Sequence, residues 1–481
     1  MRETYRGPTN CFPEMLERRS ANGAKVLKIA DLTLNLEKSS ILSKNFLLRT
    51  YEDKVMKHTY HDGEILEQDL YHDINHLASV MVSDDRGLQV EGVLGPNLGI
   101  KPLMDERSVD GRTAHVLYEL SDDTSPNGAN IGVQWNSQVS SGRNISERND
   151  KADGGNAEAR PELLVAVDST FRSKFSSVLT IMRYLIICIN SVNVRYMTVR
   201  GIKIRLLLQA IEIFDVTDSG SAQVYTEEFL YRVDELLAGY RTLETFQEYV
   251  ERNPHKYDVY DAVYLITGLN MAQYNGYHWD LELQGIAYVA GACSNRKVGI
   301  GEDRVGTFLG VRITAHEIAH LMGCPHDGQF FQSYSSVDCP WNHGYIMSYK
   351  IQDSNSMKFS SCCQNNIWRF IHYGSGSCLL QLRSKRTIKK KNFTAELPGR
   401  LVKDLCKASY PEVSETYLIE NEGRRECQGR CHMPEHIWRL GYKVAIFPDN
   451  TRCSEGKKPK ICINGQCTEK KPRYSSYRPY K

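Results

Sequence analysis

The chain has 481 residues, 41% of them hydrophobic and 25% charged, with a formal net charge of +2. This balance is ordinary for folded protein and excludes fibrous and disordered classes, and the near-zero net charge supplies no global field for nucleic acid. The longest apolar run, Tyr184 to Ile189, is too short to cross a bilayer, so no membrane span is expected.

Residues 1–20 contain no apolar stretch of the kind a secretory signal carries. The 14 cysteines nevertheless argue for an oxidising compartment, because 11 lie from Cys324 onward and six of those fall between Cys406 and Cys467. Secretion is therefore expected, with the sequence either beginning downstream of the true initiator or lacking its first exon. Two sequons, at Asn144 and Asn392, are candidate glycosylation sites on that route.

From Val26 to about Ser83, apolar and polar residues alternate in short runs such as Leu32, Leu34 and Leu36, punctuated by Asp62-Gly63 and by Asp85 to Gly87, which predicts a β-rich unit. Cys11 lies ahead of this core and is expected to be unpaired. Residues 121–160 are rich in Ser, Asn, Asp and Gly and read as a linker. Beyond it, Leu163 to Ser169 predicts a buried strand. Phe175, Val178, Leu179, Met182, Leu185, Ile186, Ile189 and Val192 fall at helical spacing, with Cys188 on the same helix as a buried free thiol. A strand is predicted from Ile202 to Leu208, a helix around Glu227 to Ala238, and strands at Ala262 to Thr267 and Gly285 to Ala290. A basic run from Arg383 to Lys391 follows, read either as a solvated linker or as an exosite for anionic polysaccharide. Few hydrophobic residues lie among the last six cysteines, so three disulfides are expected to stabilise a module too small to do so by its core.

The chemistry is concentrated in His316 to Asp327, HEIAHLMGCPHD. On a helix over Ala315 to Met322, His316 and His320 sit one turn apart on one face with Glu317 beside them. Gly323 then allows a left-handed residue that turns the chain and brings His326 back to the same point. Three imidazoles with one open position suit a catalytic zinc ion, at which water would be acidified, with Glu317 as the base.

The pattern HExxHxxGxxH resembles that of the metzincin zinc peptidases, and Asp327 after the third histidine resembles the reprolysin (adamalysin, ADAM-like) branch. Tyr345 to Tyr349, YIMSY, is similar to the Met-turn of that group, which implies Met347 beneath the metal. LTLNLEKSSILSKNFLL, YHDGEI and DDRGLQVEGVLGPNLGIKPL resemble reprolysin propeptides, most of all those of tick salivary metalloproteases, and the segment from LPGRLVKDLC to DNTRCSEGKKPKICINGQC resembles their cysteine-rich module. The resemblance implies an α+β fold: a metzincin catalytic domain with a twisted mixed β-sheet, long helices, zinc-site helix and Met-turn, preceded by a β-rich propeptide and followed by a small disulfide-rich module. The implied boundaries are a propeptide at 1–120, a linker with the removal region at 121–160, the catalytic domain at 161–383, a basic linker at 384–400 and the cysteine-rich domain at 401–481. It also implies disulfides Cys293–Cys378, Cys339–Cys362 and Cys324–Cys363, the last two exchangeable because Cys362 and Cys363 are adjacent. A calcium site at Glu162, Asp261 and Gln381 is implied, with Gln381 standing where the family has Asn. Tyr349 departs from the usual reprolysin pattern; it is either an oxyanion donor near the metal, as in the astacin branch, or a packing residue. No cysteine lies between Cys11 and Cys188, so latency through a propeptide thiol is not expected, and the propeptide would inhibit by covering the cleft.

The expectation is a secreted zinc endopeptidase made as a zymogen, acting on extracellular proteins such as host fibrinogen, fibrin and gelatin. The alternative is a binding or decoy protein that works through its cysteine-rich module.

Overall fold

Alternation of apolar and polar residues through the N-terminal region builds a nine-stranded antiparallel sheet among the described residues of the computed structural model. The described residues are 9–18, 24–52, 55–84, 87–108, 111–120, 158–218, 223–225, 227–348, 350, 353–382 and short stretches between 406 and 469. In order across this sheet come Thr9–Cys11, Thr113–Glu119, Leu98–Arg107, Gln89–Val93, Ala78–Ser83, Leu70–Asp73, Leu32–Lys38, Lys25–Ile29 and Glu14–Arg18. The β-rich region thus extends beyond Val26 to Ser83 on both sides. Cys11 is not ahead of its core: it pairs with His115 and is buried against Leu27, Ile29 and Val80, and that burial pushes its thiol up to about 11.

A second, seven-stranded sheet packs against the helix that carries His316 and His320. Its order is Gly285–Ala287, Val298–Glu302, Ala262–Thr267, Glu162–Val167, Leu207–Ile213, Leu42–Glu52 and Val55–Asp62. The strands from Val298–Glu302 to Leu207–Ile213 run parallel, and Gly285–Ala287 is an antiparallel edge strand in the register Gly285 to Gly301, Ile286 to Ile300 and Ala287 to Gly299. Parallel strands covered on both faces read as continuous apolar runs, as ELLVAV and AVYLIT do.

Two helices pack together beneath this sheet. Val178–Tyr196 is capped by Ser177, whose hydroxyl accepts from the Thr180 N–H, and is buried along almost its whole length. By length and composition it could cross a membrane, but an apolar helix enclosed in a protein core has the same signature. Gly310–Leu321 lies against it: the Tyr196 hydroxyl donates to the Ala315 carbonyl at 2.8 Å, and the Tyr184 and Phe308 rings stack with centroids 4.5 Å apart.

Three sequence expectations are corrected. Glu227 to Ala238 is not a helix. Arg232–Val233 and Leu236–Ala238 form a tight hairpin through Asp234, at φ 54°, and Leu236–Ala238 pairs with Asn270 to Ala272, so sheet pairing overrides the local helical spacing. The helix starts later, at Gly239–Arg252, where Leu243, Phe246 and Val250 are buried. The strand expected from Ile202 runs instead over Leu207–Ile213, with Lys203–Ile204 in a separate two-strand ladder, and the edge strand stops at Ala287 because Ala290 turns into a left-handed conformation at φ 57°.

By its contacts the chain divides into two units, Met1–Leu48 with Tyr60–Lys385, and Arg49–Thr59 with Arg386–Lys481. In the second unit, Cys406–Cys431, Cys427–Cys462 and Cys453–Cys467 are disulfides. Its small core consists largely of these cysteines, with Val413, Met433 and Phe447.

At the start of the Gly310–Leu321 helix, Asp303 is fully buried, accepting from the Gly310 N–H and the Tyr184 hydroxyl at 2.9 Å each. Burial pushes its carboxyl up to about 7. The folded value thus lies above that of an unfolded carboxylic acid, near 4, so folding takes up a proton between about pH 4 and 7 and this group's contribution to stability is lost as pH rises through that window. Asp303→Asn cannot ionise, so its melting temperature should fall less between pH 5 and 7.5 than that of the parent. Parallel melting curves for the two proteins would show that Asp303 is ionised throughout.

Candidate metal centre

His316 and His320 lie four residues apart on the Gly310–Leu321 helix, so their rings emerge one turn apart on the same face. The helix ends where Gly323 takes φ 92°, its N–H returning to the His320 carbonyl at 2.9 Å. A side chain there would be strained, and its Cβ would lie 3.1 Å from both Phe370 and Tyr334. The reversed chain carries His326 back. His326 Nε2 then lies 3.1 Å from both His320 Nε2 and His316 Nε2.

The opposite nitrogens fix the tautomers. His316 Nδ1 donates to the Ile346 carbonyl at 2.8 Å, and His320 Nδ1 to the Cys324 carbonyl at 2.6 Å. With Nδ1 carrying the proton, each Nε2 presents a lone pair to the common centre. Burial, reinforced at His316 and His326 by the neighbouring imidazoles, holds all three well towards the neutral form, His320 at about 4. Met347 is buried in the turn Ile346–Ser348, and its carbonyl accepts from the Asp327 N–H at 3.1 Å, so one turn buttresses both ends of the histidine segment. Asp327 is buried as well and accepts from the Ser360 hydroxyl at 2.6 Å. The disulfide Cys324–Cys363 clamps the reversed chain to the helix Ser361–Tyr373.

Three neutral imidazoles converging at 3.1 Å repel one another unless a cation lies between them, and an all-nitrogen triad with one open side is a donor set suited to zinc. Among the described residues the other close groups of ligand-type atoms, Cys427 with Cys453 and Cys467, and Asp261 with Cys293 and Cys378, contain sulfurs already committed to disulfides. Residues 157–360 match the family Reprolysin_5, Metallo-peptidase family M12. Residues 157–360 thus form a reprolysin-type metallopeptidase domain. A protein described as "A disintegrin and metalloproteinase with thrombospondin motifs like" from Bombyx mori is 29% identical over 343 residues, 66% of this chain and 46% of that protein. The chain thus spans about half the length of that relative. "Venom metalloproteinase antarease-like TtrivMP_A" from Tityus trivittatus is 26% identical over 397 residues, covering 77% of this chain and 92% of that protein. "A disintegrin and metalloproteinase with thrombospondin motifs 12" from Mus musculus is 31% identical over 238 residues, 47% of this chain and 14% of its own length.

In this domain, Glu317 follows the first histidine, is fully buried, and has one oxygen, Oε2, with no hydrogen-bond partner. Burial raises its carboxyl well above the usual range. The residues that make room for it were not singled out from the sequence. Gly285 and Gly301 face each other across the edge pair. A Cβ at Gly285 would lie 2.7 Å from Glu317 Oε1, and a Cβ at Gly301 would overlap the Tyr264 hydroxyl. Both would press on Ile313 of the histidine helix at 2.8 Å. The available signal was VGIGE, Val298–Glu302, whose alternating glycines mark close backbone approach within a strand.

The other expected site residues are placed unevenly. Cys293–Cys378 and Cys339–Cys362 are disulfides, and Cys188 is buried and free. Glu162 and Asp261 are buried side by side, the Glu162 N–H donating to Asp261 Oδ2 at 3.0 Å, with the Gln209 amide on the Glu162 carboxylate. Gln381 is exposed just past the turn Ser375–Leu380. Tyr349, Asn144, Asn392 and the run from Arg383 to Lys391 lie outside the described residues.

The glycine pair yields a direct test. Gly301→Ala should destabilise the domain by about 1–3 kcal/mol, the usual cost of overpacking, and lower turnover. Adding Tyr264→Phe should recover part of both losses, because it removes the overlapped oxygen. Melting temperature and peptide cleavage measured on the single and double variants check this; an unaffected single variant would mean that the strand stands off the helix.

Proposed function

We propose that the protein is a secreted zinc endopeptidase made as a zymogen, with Glu317 as general base and the N-terminal β-rich region as propeptide. The observation that carries this reading is the convergence of three Nε2 lone pairs beside a buried carboxylate. When held by His316, His320 and His326, zinc supplies a Lewis acid that polarises the scissile carbonyl and acidifies water. Glu317 takes a proton at Oε2 and returns it to the departing amine, a role favoured by a carboxyl whose proton affinity burial has raised. The substrate backbone lies extended along the edge strand Gly285–Ala287, adding hydrogen bonds that do not depend on sequence.

The proposed substrates are extracellular proteins, host fibrinogen, fibrin and gelatin among them. The venom metalloproteinases among the relatives and the disulfide-rich C-terminal region support an extracellular setting. Calcium at Glu162, Asp261 and Gln381 is proposed as a structural ion, supported by two buried acidic residues joined through the Glu162 N–H and the Asp261 carboxylate. Tyr349 as oxyanion donor and Arg383 to Lys391 as a polysaccharide exosite complete the proposal.

Glu317→Gln should retain zinc at full stoichiometry while cleavage of casein falls by several orders of magnitude, since the ligands remain and the base is lost. His320→Ala should lose the metal as well. Measuring zinc content and turnover on both variants separates base from ligand, and near-normal proteolysis by Glu317→Gln would refute the mechanism. A binding or decoy protein would keep its partner affinity in both variants and show no cleavage in the parent.

A further inference from the structure

One charged side chain in the core lacks an opposite charge. Arg195, at the end of the Val178–Tyr196 helix, is 4% exposed. Its guanidinium carries five N–H donors, and the described residues supply it with one acceptor, the Ser191 carbonyl, which takes a bond from Nη1 at 2.8 Å. Arg195 Nε is buried with no hydrogen-bond partner, and so is the hydroxyl of Ser191, one turn back on the same helix face. The bond from Nη1 to the Ser191 carbonyl brings these two atoms into one neighbourhood. A hydroxyl oxygen could accept from Nε, yet no bond joins them, so two buried polar atoms are left unsatisfied side by side.

The surroundings add positive charge rather than cancel it. Burial, and after it the charge of Arg312 one turn ahead of His316 on the histidine helix, push Arg195 down to about 9, which leaves it cationic at neutral pH. No aspartate or glutamate among the described residues acts on it. Its chain neighbours are packed in apolar surroundings, Val194 with Leu77 and Met357, and the Tyr196 ring against Phe359 at 4.7 Å. A buried cation is costly unless an anion compensates it, and a guanidinium does not escape that cost by shedding its proton. Water could satisfy Arg195 Nε and Ser191 Oγ, but it would leave the charge uncompensated.

We infer that Arg195 Nε and the Ser191 hydroxyl, beside Arg312, bind a small monovalent anion of the chloride class and that this ion steadies the turn under the metal centre. Both groups offer hydrogens, which suits a spherical acceptor, and the near-complete burial of Arg195 excludes a carboxylate or phosphate carried on a larger molecule. The link to the metal centre runs through Arg312. Its guanidinium donates at 3.3 Å to the Ser356, Tyr345 and Lys350 carbonyls, the last two of which bracket the turn Ile346–Ser348. The Ile346 carbonyl in that turn holds His316 Nδ1. An anion near both guanidiniums offsets their repulsion and so lets Arg312 keep its grip on the turn. The binding part stands on these contacts alone, whereas the effect on the metal rests on the zinc reading of the three histidines.

The test melts the full zinc-loaded chain in mixtures of sodium chloride or bromide with sodium methanesulfonate, an anion too large for the site, at one ionic strength. The expected result is a rise in melting temperature of roughly 3–5 °C for each tenfold increase in halide above its dissociation constant. Arg195→Met keeps the length of the side chain, removes the charge, and should abolish the difference between salts. Ser191→Ala, the milder change, should move the response to higher halide concentration. Zinc loss to a chelator should slow several-fold in chloride for the parent and be indifferent to it in Arg195→Met. Crystals grown in bromide should show an anomalous peak against Arg195 Nε. Equal melting in all mixtures, a salt difference that persists in Arg195→Met, or bromide crystals with no peak at that place would overturn the inference. A halide effect on melting with unchanged zinc loss would leave the anion site standing and contradict its link to the turn.

Discussion

Everything at the centre of this molecule depends on three imidazole nitrogens being held together, His326 Nε2 lying 3.1 Å from both His316 Nε2 and His320 Nε2. Left alone, that arrangement is unfavourable, because burial keeps the rings neutral and their nitrogens repel. The fold imposes it with rigid parts: one helical turn sets the first two rings, a left-handed glycine returns the third, and main-chain carbonyls at Ile346 and Cys324 hold the outer nitrogens. A cation then converts the repulsion into coordination. The disulfide Cys324–Cys363 and the turn at Met347 keep the site from relaxing when the ion is absent.

The buried Glu317 carboxylate is placed by a different constraint. Glu317 sits under the edge strand only because two facing positions, Gly285 and Gly301, have no side chains, and Tyr264 occupies the volume beneath the second. The sheet can approach the helix closely there, which brings the edge strand Gly285–Ala287 next to the histidine helix. In the proposed mechanism, recognition of an extended peptide and activation of water would both depend on this one packing contact.

The histidine site was legible in the sequence because its geometry is local. Ligands, base and turn all lie between His316 and His326, and helical spacing plus one glycine determines how they meet. The strands Glu162–Val167 and Ala262–Thr267 were legible for the related reason that parallel core strands carry unbroken apolar runs. Long-range pairing was not legible. Phe229, Leu230, Val233, Leu236 and Leu237 have helical spacing, yet Leu236–Ala238 is drawn into a strand by Asn270 to Ala272. Nothing within Leu42–Glu52 marks it as a member of the catalytic sheet, since its partner lies some 160 residues away and local alternation is the same whichever sheet a strand joins. Val298–Glu302 was passed over because two of its five positions are glycine, the feature that makes it functional.

Three imidazoles and no sulfur should hold a zinc ion with one position open. X-ray absorption at the zinc K-edge on the full-length protein tests it most directly. The account predicts a first shell of light atoms only, three imidazole nitrogens and one further oxygen at about 2.0–2.1 Å, with the outer-shell scattering typical of histidine rings. A sulfur neighbour near 2.3 Å, or fewer than three imidazoles, would contradict it.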